Sequence, residues 1–157
     1  MGDPRRIKKK YQRPKHPWRA DRLGEEKKIL KTYGLKNKKE IWRVETLTRG
    51  FRRQARKLFA LKTEQARKEE KQLLDRLKRL NLLGNDATLD SVLALKTENI
   101  LGRRLQSVVF KKGMATTVNQ ARQFIVHGHV SVKGKKVTAP SYLVMADEED
   151  KIQLSEG

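Results

Sequence analysis

Thr117–Val137 reads T-V-N-Q-A-R-Q-F-I-V-H-G-H-V-S-V-K-G-K-K-V, and the order of signals within it sets the fold class. Thr117 followed by Gln120 is a capping box, which opens a helix by satisfying orphan backbone donors. Ala121, Phe124 and Ile125 then fall at helical spacing and define one buried face. Gly128 stands where a helix needs a left-handed residue to stop. Beyond it the period switches, as Val130 and Val132 alternate with Ser131 and Lys133 in strand fashion. Lys133-Gly134 predicts a tight turn, and Lys135 to Val137 a returning strand. A short helix feeding a basic hairpin is a small rigid unit suited to gripping phosphate.

The flanks extend this unit. Upstream, Thr97 is expected to cap a helix from Glu98 to about Lys111, with Leu101, Leu105, Val108 and Val109 on its apolar side. Arg103 and Arg104 lie away from Leu105 and Val109, which leaves them free to reach a partner. Lys111-Lys112-Gly113 ends that helix. Downstream, Pro140 to Val144 reads as extended, Asp147 to Asp150 as a solvated acidic turn, and Lys151 to Leu154 as a strand closing the sheet.

Before Thr97 the chain is helical and strongly basic. Asp21 is a candidate cap for a first helix ending at Gly34, and Asn37 with Glu40 resembles a capping pair for a second, running to about Ala60. Ile41, Val44, Thr48, Phe51, Ala55 and Leu58 form its buried face, with Arg49, Arg53, Arg56 and Lys57 largely opposite and Arg52 nearer the boundary. Such a run without intervening acids repels itself unless an anion covers it. Thr63 caps a third helix to Leu80 whose mixed charges suit a scaffold role, and Thr88 a short segment through Leu95. A hinge is expected around Leu95 to Asn99. Residues 1–19 carry Arg5, Arg6, Lys8, Lys9, Lys10, Arg13, Lys15 and Arg19 among three prolines, with too little aliphatic surface to order alone. Interleaved Tyr11, His16 and Trp18 suit an arm that orders against RNA by stacking or packing.

Composition narrows the partner. The 157 residues have a net charge of +20, and residues 1–62 hold +16 of it, so electrostatic affinity for a polyanion is concentrated before the Thr117–Val137 unit. Cysteine is absent, which removes disulfides and thiolate metal sites. His127 and His129 flank a glycine but lack the further ligands a zinc site needs. The 147–150 acids read as a turn rather than a magnesium site, and no Gly-rich nucleotide loop is present. No run is apolar enough to span a bilayer, and the basic N-terminus has no apolar core of a signal peptide after it. The expectation is a soluble intracellular RNA-binding protein without cofactor, metal, membrane or small-molecule substrate, and not an enzyme. Arg103, Arg104, Lys111, Lys112, Arg122, Lys133, Lys135 and Lys136 would meet phosphate, with the Thr117 helix start. Gln106, Asn119, Gln120, Gln123, His127 and His129 would contact sugars or bases.

The A-R-Q-F-I run at Ala121–Ile125 and H-G-H-V-S-V-K-G-K at His127–Lys135 closely resemble the S-four-type RNA-binding domain. The resemblance continues outside it. Gly2–Trp18, Thr32–Arg43, Arg52–Leu58 and L-G-R-R-L-Q at Leu101–Gln106 are similar, in order, to the archaeal small ribosomal subunit protein four family. That implies a primary binder of small-subunit rRNA that helps nucleate the subunit body. It also implies a place in the cytoplasmic ribosome beside other small-subunit proteins, near the channel through which mRNA enters. Arg122 matches the arginine of the domain's A-R pair and is the first residue expected on RNA. Two positions depart from the family pattern: Val118 replaces a frequent arginine, and Lys133 a frequent asparagine. S-four-type modules also occur in pseudouridine synthases, tyrosyl-tRNA synthetases and a free heat-shock RNA chaperone. The first two need a catalytic domain that the basic helices before Thr97 do not resemble; the third, and a DNA-binding protein, are the rival readings. The expected fold is α+β and mostly helical: a basic arm (1–19), a helical domain (20–97), then a helix-turn-helix plus β-hairpin module (98–157).

Overall fold

The computed structural model describes residues 9–61, 63–84 and 86–154, so Arg5, Arg6 and Lys8 of the expected arm lie outside the described residues. Helices dominate, and one small antiparallel sheet completes the α+β architecture.

α1 (Ala20–Thr32) begins earlier than a cap at Asp21 implies, with Arg19 at the cap and Asp21 inside the first turn, where its charge still favours the helix. It ends in a Schellman motif: Gly34, at φ +54°, donates to Lys31 O, and Leu35 donates to Leu30 O. α2 (Lys38–Ala60) buries Ile41, Val44, Thr48, Phe51, Ala55 and Leu58, the face read from the sequence. α1 is fastened to α2 through Glu26, a buried carboxylate that accepts from Trp42 Nε1 (3.0 Å) and Arg22 Nε (2.9 Å) and pairs with Lys38 (3.3 Å). Burial alone would raise the Glu26 pKa; the bonds from Trp42, Arg22 and Lys38 outweigh it and hold the value below the ordinary one. α3 (Glu64–Arg79) is capped by Thr63, whose hydroxyl accepts from Ala66 N–H, and α4 (Leu89–Leu93) is a short turn of helix. Phe51, Ala55 and Leu58 meet Leu73, Leu77, Val92 and Leu95 in one apolar core.

The helix expected from Glu98 to Lys111 is interrupted. α5 (Thr97–Gly102) and α6 (Leu105–Lys111) are separated at Arg103 and Arg104, and Arg104 is extended. The cause is pairing with a distant segment: Leu105 N–H donates to Tyr142 O (2.7 Å), Val144 N–H to Arg103 O (3.0 Å), and Arg104 bridges Leu143 antiparallel. The break divides the predicted apolar stripe between two cores. Ile100 and Leu101 join the helical core, whereas Leu105, Val108 and Val109 pack with Ala121, Ile125, Val130, Val132, Val144 and Ile152.

α7 (Val118–Val126) follows a tight connection and also ends in a Schellman motif, with Gly128 at φ +78° donating to Ile125 O and His129 to Phe124 O. β1 (Val130–Val132) turns through Lys133 (φ +52°) and Gly134 (φ +74°) into β2 (Lys135–Lys136), the two left-handed residues a primed two-residue turn requires. Lys133 adopts this conformation although it is not glycine or asparagine. α8 (Ala146–Glu149) occupies the predicted acidic turn, and β3 (Ile152–Leu154) pairs antiparallel with β1, giving the order β2-β1-β3.

Candidate nucleic-acid interface

The two cores meet at a polar joint built around Glu40. Asn37 stands at the start of α2 but its side chain makes no capping bond, and Glu40 reaches back only to Lys36 N–H (3.3 Å). The Glu40 carboxylate instead receives Arg104 from the break between α5 and α6 (2.5 Å) and Arg122 from α7 (2.8 and 3.4 Å). Arg122 also donates to Gln106 Oε1 (3.4 Å), and Gln106 Nε2 donates to Gly34 O and Val118 O, both at 3.0 Å. Burial pushes the Glu40 pKa up, and the hydrogen bonds and charges of Arg122 and Arg104 more than offset it, leaving the carboxyl below its ordinary range. A methyl group on Gly34 would stand 2.7 Å from Asn119 Oδ1 and 3.0 Å from Gln106 Nε2, so this turn of the helical half sits directly against α7.

This geometry corrects the reading of several residues. Arg104 is 3% exposed and Gln106 1% exposed, so neither is free to meet a partner from outside. Arg103 is half-buried and donates to Glu149 (2.7 Å) and Val144 O (3.2 Å). The Nε atoms of Arg103 and Arg104 are buried without a hydrogen-bond partner among the described residues, a penalty carried by the charged contacts their other nitrogens make. The acids at 147–150 are not simply solvated. Besides Glu149, Asp147 pairs with Lys133 (2.8 Å), Glu148 with Lys133 (3.3 Å) and Asp150 with Lys112 (3.7 Å), while Lys112 also donates to Glu149 O. Gln120 departs from the reciprocal capping box: Thr117 accepts from Gln120 N–H, but the Gln120 side chain turns to Thr116 N (2.7 Å) and Oγ1 (2.6 Å).

Other expected residues are at the surface. Arg53, Arg56 and Lys57 are exposed on α2 and make no ion pair among the described residues; Lys111, Lys135 and Lys136 do the same on the module. Arg49 is exposed but pairs with Glu45 (3.2 Å) and reaches Gln12 (3.2 Å), and Arg52 donates to Leu95 O at the end of α4. Thr117, Asn119, Gln123 and His127 are exposed. His129 is half-buried because the Schellman motif sets it beside Phe124, edge to face at 6.2 Å, with the His127 ring near parallel at 6.3 Å. In the arm, Lys9, Lys10, Arg13, Lys15, His16 and Arg19 are exposed, and Trp18 is 88% exposed. The arm also touches the helical half: Tyr11 lies against Trp42 at 6.0 Å, and Gln12 N–H donates to Thr46 Oγ1.

Sequence patterns do not reveal Glu40 as a site residue, because its partners lie 64 and 82 positions along the chain, beyond any local signal. Lys36, Lys39 and Arg43 escape the same reasoning; they line a cleft beside the joint.

The S4 domain family matches residues 103–150, beginning at the break between the two cores. Similarity to curated proteins extends over almost the whole chain. A small ribosomal subunit protein uS4 from Methanococcus aeolicus is 58% identical over 153 residues, covering 97% of this chain and 86% of its own length. Relatives of the same description from Methanococcus maripaludis strain C5 and Hyperthermus butylicus are 56% and 53% identical, over 98% and 99% of this chain. With the RNA-binding module, the helices before it and the joint between them all inside that match, the chain belongs to the uS4 family of small ribosomal subunit proteins.

Proposed function

We propose that this chain is a structural, non-catalytic constituent of the small ribosomal subunit in the cytoplasm, where it binds small-subunit rRNA and neighbouring ribosomal proteins. Its family membership carries this reading. The cations of α2 support it, because Arg53, Arg56 and Lys57 are exposed without an ion pair among the described residues, and such a surface is most stable when covered by a polyanion. The domain division expected from the sequence gives each part a task. The 1–19 arm and the α2 face supply most of the grip on phosphate. The module, through Arg122, Thr117, Asn119, Gln123, His127, His129, Lys111, Lys135 and Lys136, sets where the protein docks. Arg103, Arg104, Gln106, Lys112 and Lys133 serve that surface from beneath or beside it through their contacts with protein groups. A protein that joins both halves through one joint is suited to nucleating the subunit body, at a position near the channel through which mRNA enters.

Crosslinking in native cells followed by RNA sequencing tests this. Crosslinks concentrated in small-subunit rRNA are expected; a signal spread over messenger or transfer RNA would instead indicate a free chaperone of the heat-shock type.

A further inference from the structure

α2 carries a second stripe beside its buried face. Trp42, Thr46 and Arg49 follow one another at steps of four and three, so they share one side of the helix. Trp42 is half-buried, and its Nε1 donates to the buried carboxylate of Glu26 (3.0 Å), which fixes the plane of the indole. Thr46 spends its hydroxyl hydrogen on Trp42 O (2.7 Å), which leaves the oxygen lone pairs free to accept. Arg49 divides its guanidinium between Glu45 (3.2 Å) and the arm.

The arm engages all three residues. The Tyr11 ring lies against Trp42 with centroids 6.0 Å apart. Gln12 is held at two points: its N–H donates to Thr46 Oγ1 (3.0 Å), and its side-chain oxygen accepts from Arg49 (3.2 Å). Exposure follows the same division, since Tyr11 and Pro14 are half-buried while Lys9, Lys10, Arg13 and Lys15 are exposed. The chain is fastened again where α1 begins, because Arg22 donates to Glu26 (2.9 Å) and to Glu45 of α2 (3.1 Å). Residues 13–19 are therefore tied at both ends, and the loop they form displays Arg13, Lys15, His16 and Trp18. Each tie joins protein groups. Those to Tyr11 and Gln12 are an aromatic pair and hydrogen bonds to an uncharged residue, which salt screens little.

We propose that Trp42 is a positioning residue which, with Thr46 and Arg49, seats Tyr11 and Gln12 on α2 in the free protein, so that residues 13–19 stand as a closed loop before RNA is met. This reverses the order expected from the composition of residues 1–19, in which RNA supplies the ordering. The advantage to binding rests on the rRNA-binding reading: a chain already fixed gives up less conformational entropy on contact than an unseated one. The seating itself does not depend on that reading.

Nitrogen-15 relaxation of the full chain, free in solution, tests the seating. Order parameters at residues 11–13 should approach the value of about 0.85 typical of rigid backbone and fall below about 0.6 in Tyr11→Ala. They should return in Tyr11→Phe, because it is the ring that meets Trp42. Thr46→Val deletes the acceptor of the Gln12 amide and should speed its hydrogen exchange about tenfold, whereas Thr46→Ser should keep it slow. Trp42 itself stays in place, since its indole also holds Glu26. Order parameters below about 0.6 in the native protein, or order that disappears as salt is raised, would overturn the proposal. Binding to a full-length small-subunit rRNA transcript tests the consequence. Tyr11→Ala, and Thr46→Val beneath the arm, should weaken it roughly 3- to 10-fold with the slope of log K against log salt unchanged, as no cation is removed. Unchanged affinity in variants whose arm order is lost would overturn the positioning role. Absence of rRNA binding by the native protein would overturn the rRNA-binding reading and leave the seating intact.

Discussion

Replacing Glu40 with glutamine removes one charge while conserving side-chain size, at the point where three segments distant in sequence converge. In the native joint the carboxylate, 13% exposed, holds Arg104 (side chain 4% exposed) at 2.5 Å and Arg122 (23% exposed) at 2.8 Å. Glutamine keeps one acceptor but turns an NH₂ donor toward a guanidinium. Arg104 suffers most, since its Nε is already unpartnered and the variant leaves its charge uncompensated in the interior. Removing one partner of a buried pair typically destabilises by roughly 3–5 kcal/mol. Arg122 retains access to water and would recover part of its solvation, which places Glu40→Gln near the lower end, about 3 kcal/mol. At about 2–4 °C per kcal/mol for a chain of this size, the midpoint should fall by roughly 6–12 °C. Calorimetric or circular-dichroism melting of the free protein near neutral pH measures it. The pH dependence provides an independent check. Burial raises the Glu40 pKa, but its arginines lower it further, so the folded carboxyl titrates below the unfolded one. The unfolded state then binds more protons, and the ion pairs stabilise fully above the ordinary carboxylate range and progressively less as pH falls through the depressed value. The gap between wild type and variant should therefore close in acid. A midpoint shift below about 2 °C near neutrality, equivalent to under ~1 kcal/mol, would refute the claim that this carboxylate holds the halves together. A gap that widens in acid would refute it equally.

Three further outcomes are expected. Gly34→Ala places a Cβ at a left-handed residue (φ +54°) facing α7 and should destabilise by about 1–2 kcal/mol from backbone strain, with movement of Asn119 and Gln106, as read by urea denaturation. Asp147→Asn removes the exposed one of the two acids paired with Lys133 and leaves Glu148; thermal stability should barely change, while rRNA affinity at low salt rises severalfold because negative charge beside the hairpin falls, and unchanged affinity would show that this end of the hairpin lies away from RNA. Binding of the native protein to rRNA should weaken by roughly three to five orders of magnitude over a fourfold rise in salt, and a flat response in filter binding would exclude a phosphate-based grip.

Local signals are legible where the responsible groups are close in sequence. The buried face of α2, the Thr63 and Thr117 caps, the Gly128 stop and the Lys133-Gly134 turn each depend on residues within one or two turns. The helix break at Arg103 and Arg104 is not legible, because nothing nearby forbids helix there. Its cause is the backbone of Tyr142 to Val144, which competes successfully for hydrogen bonds across some forty residues. The joint is hidden for the same reason. Glu40 looks like a capping residue in its local frame, and only the fold brings Arg104 and Arg122 to it. Charge is thus easier to count than to allocate: arginines on the polar side of a predicted helix prove to be interior partners of acids elsewhere.

That allocation alters where RNA affinity should reside. Of the module's cations, Arg103, Lys112 and Lys133 pair with the acids of 147–150, and Arg104 and Arg122 share Glu40. Lys111, Lys135, Lys136 and Lys151 remain unpaired among the described residues, so the module presents less free charge than its cation count implies. On the helical half, Lys36, Lys39, Arg43, Arg53, Arg56 and Lys57 have no such partners among the described residues. Counterion release scales with the cations actually placed on phosphate rather than with the number in the chain. The salt dependence of binding should therefore follow α2 and the arm, while the module acts through shape and hydrogen bonds that salt screens less. A partly self-neutralised module has a physical advantage in this division. Strong unpaired charge there would hold any RNA equally well, whereas a module of low free charge gains affinity only where shape and hydrogen bonds match its target, with α2 keeping the RNA near while that match is found.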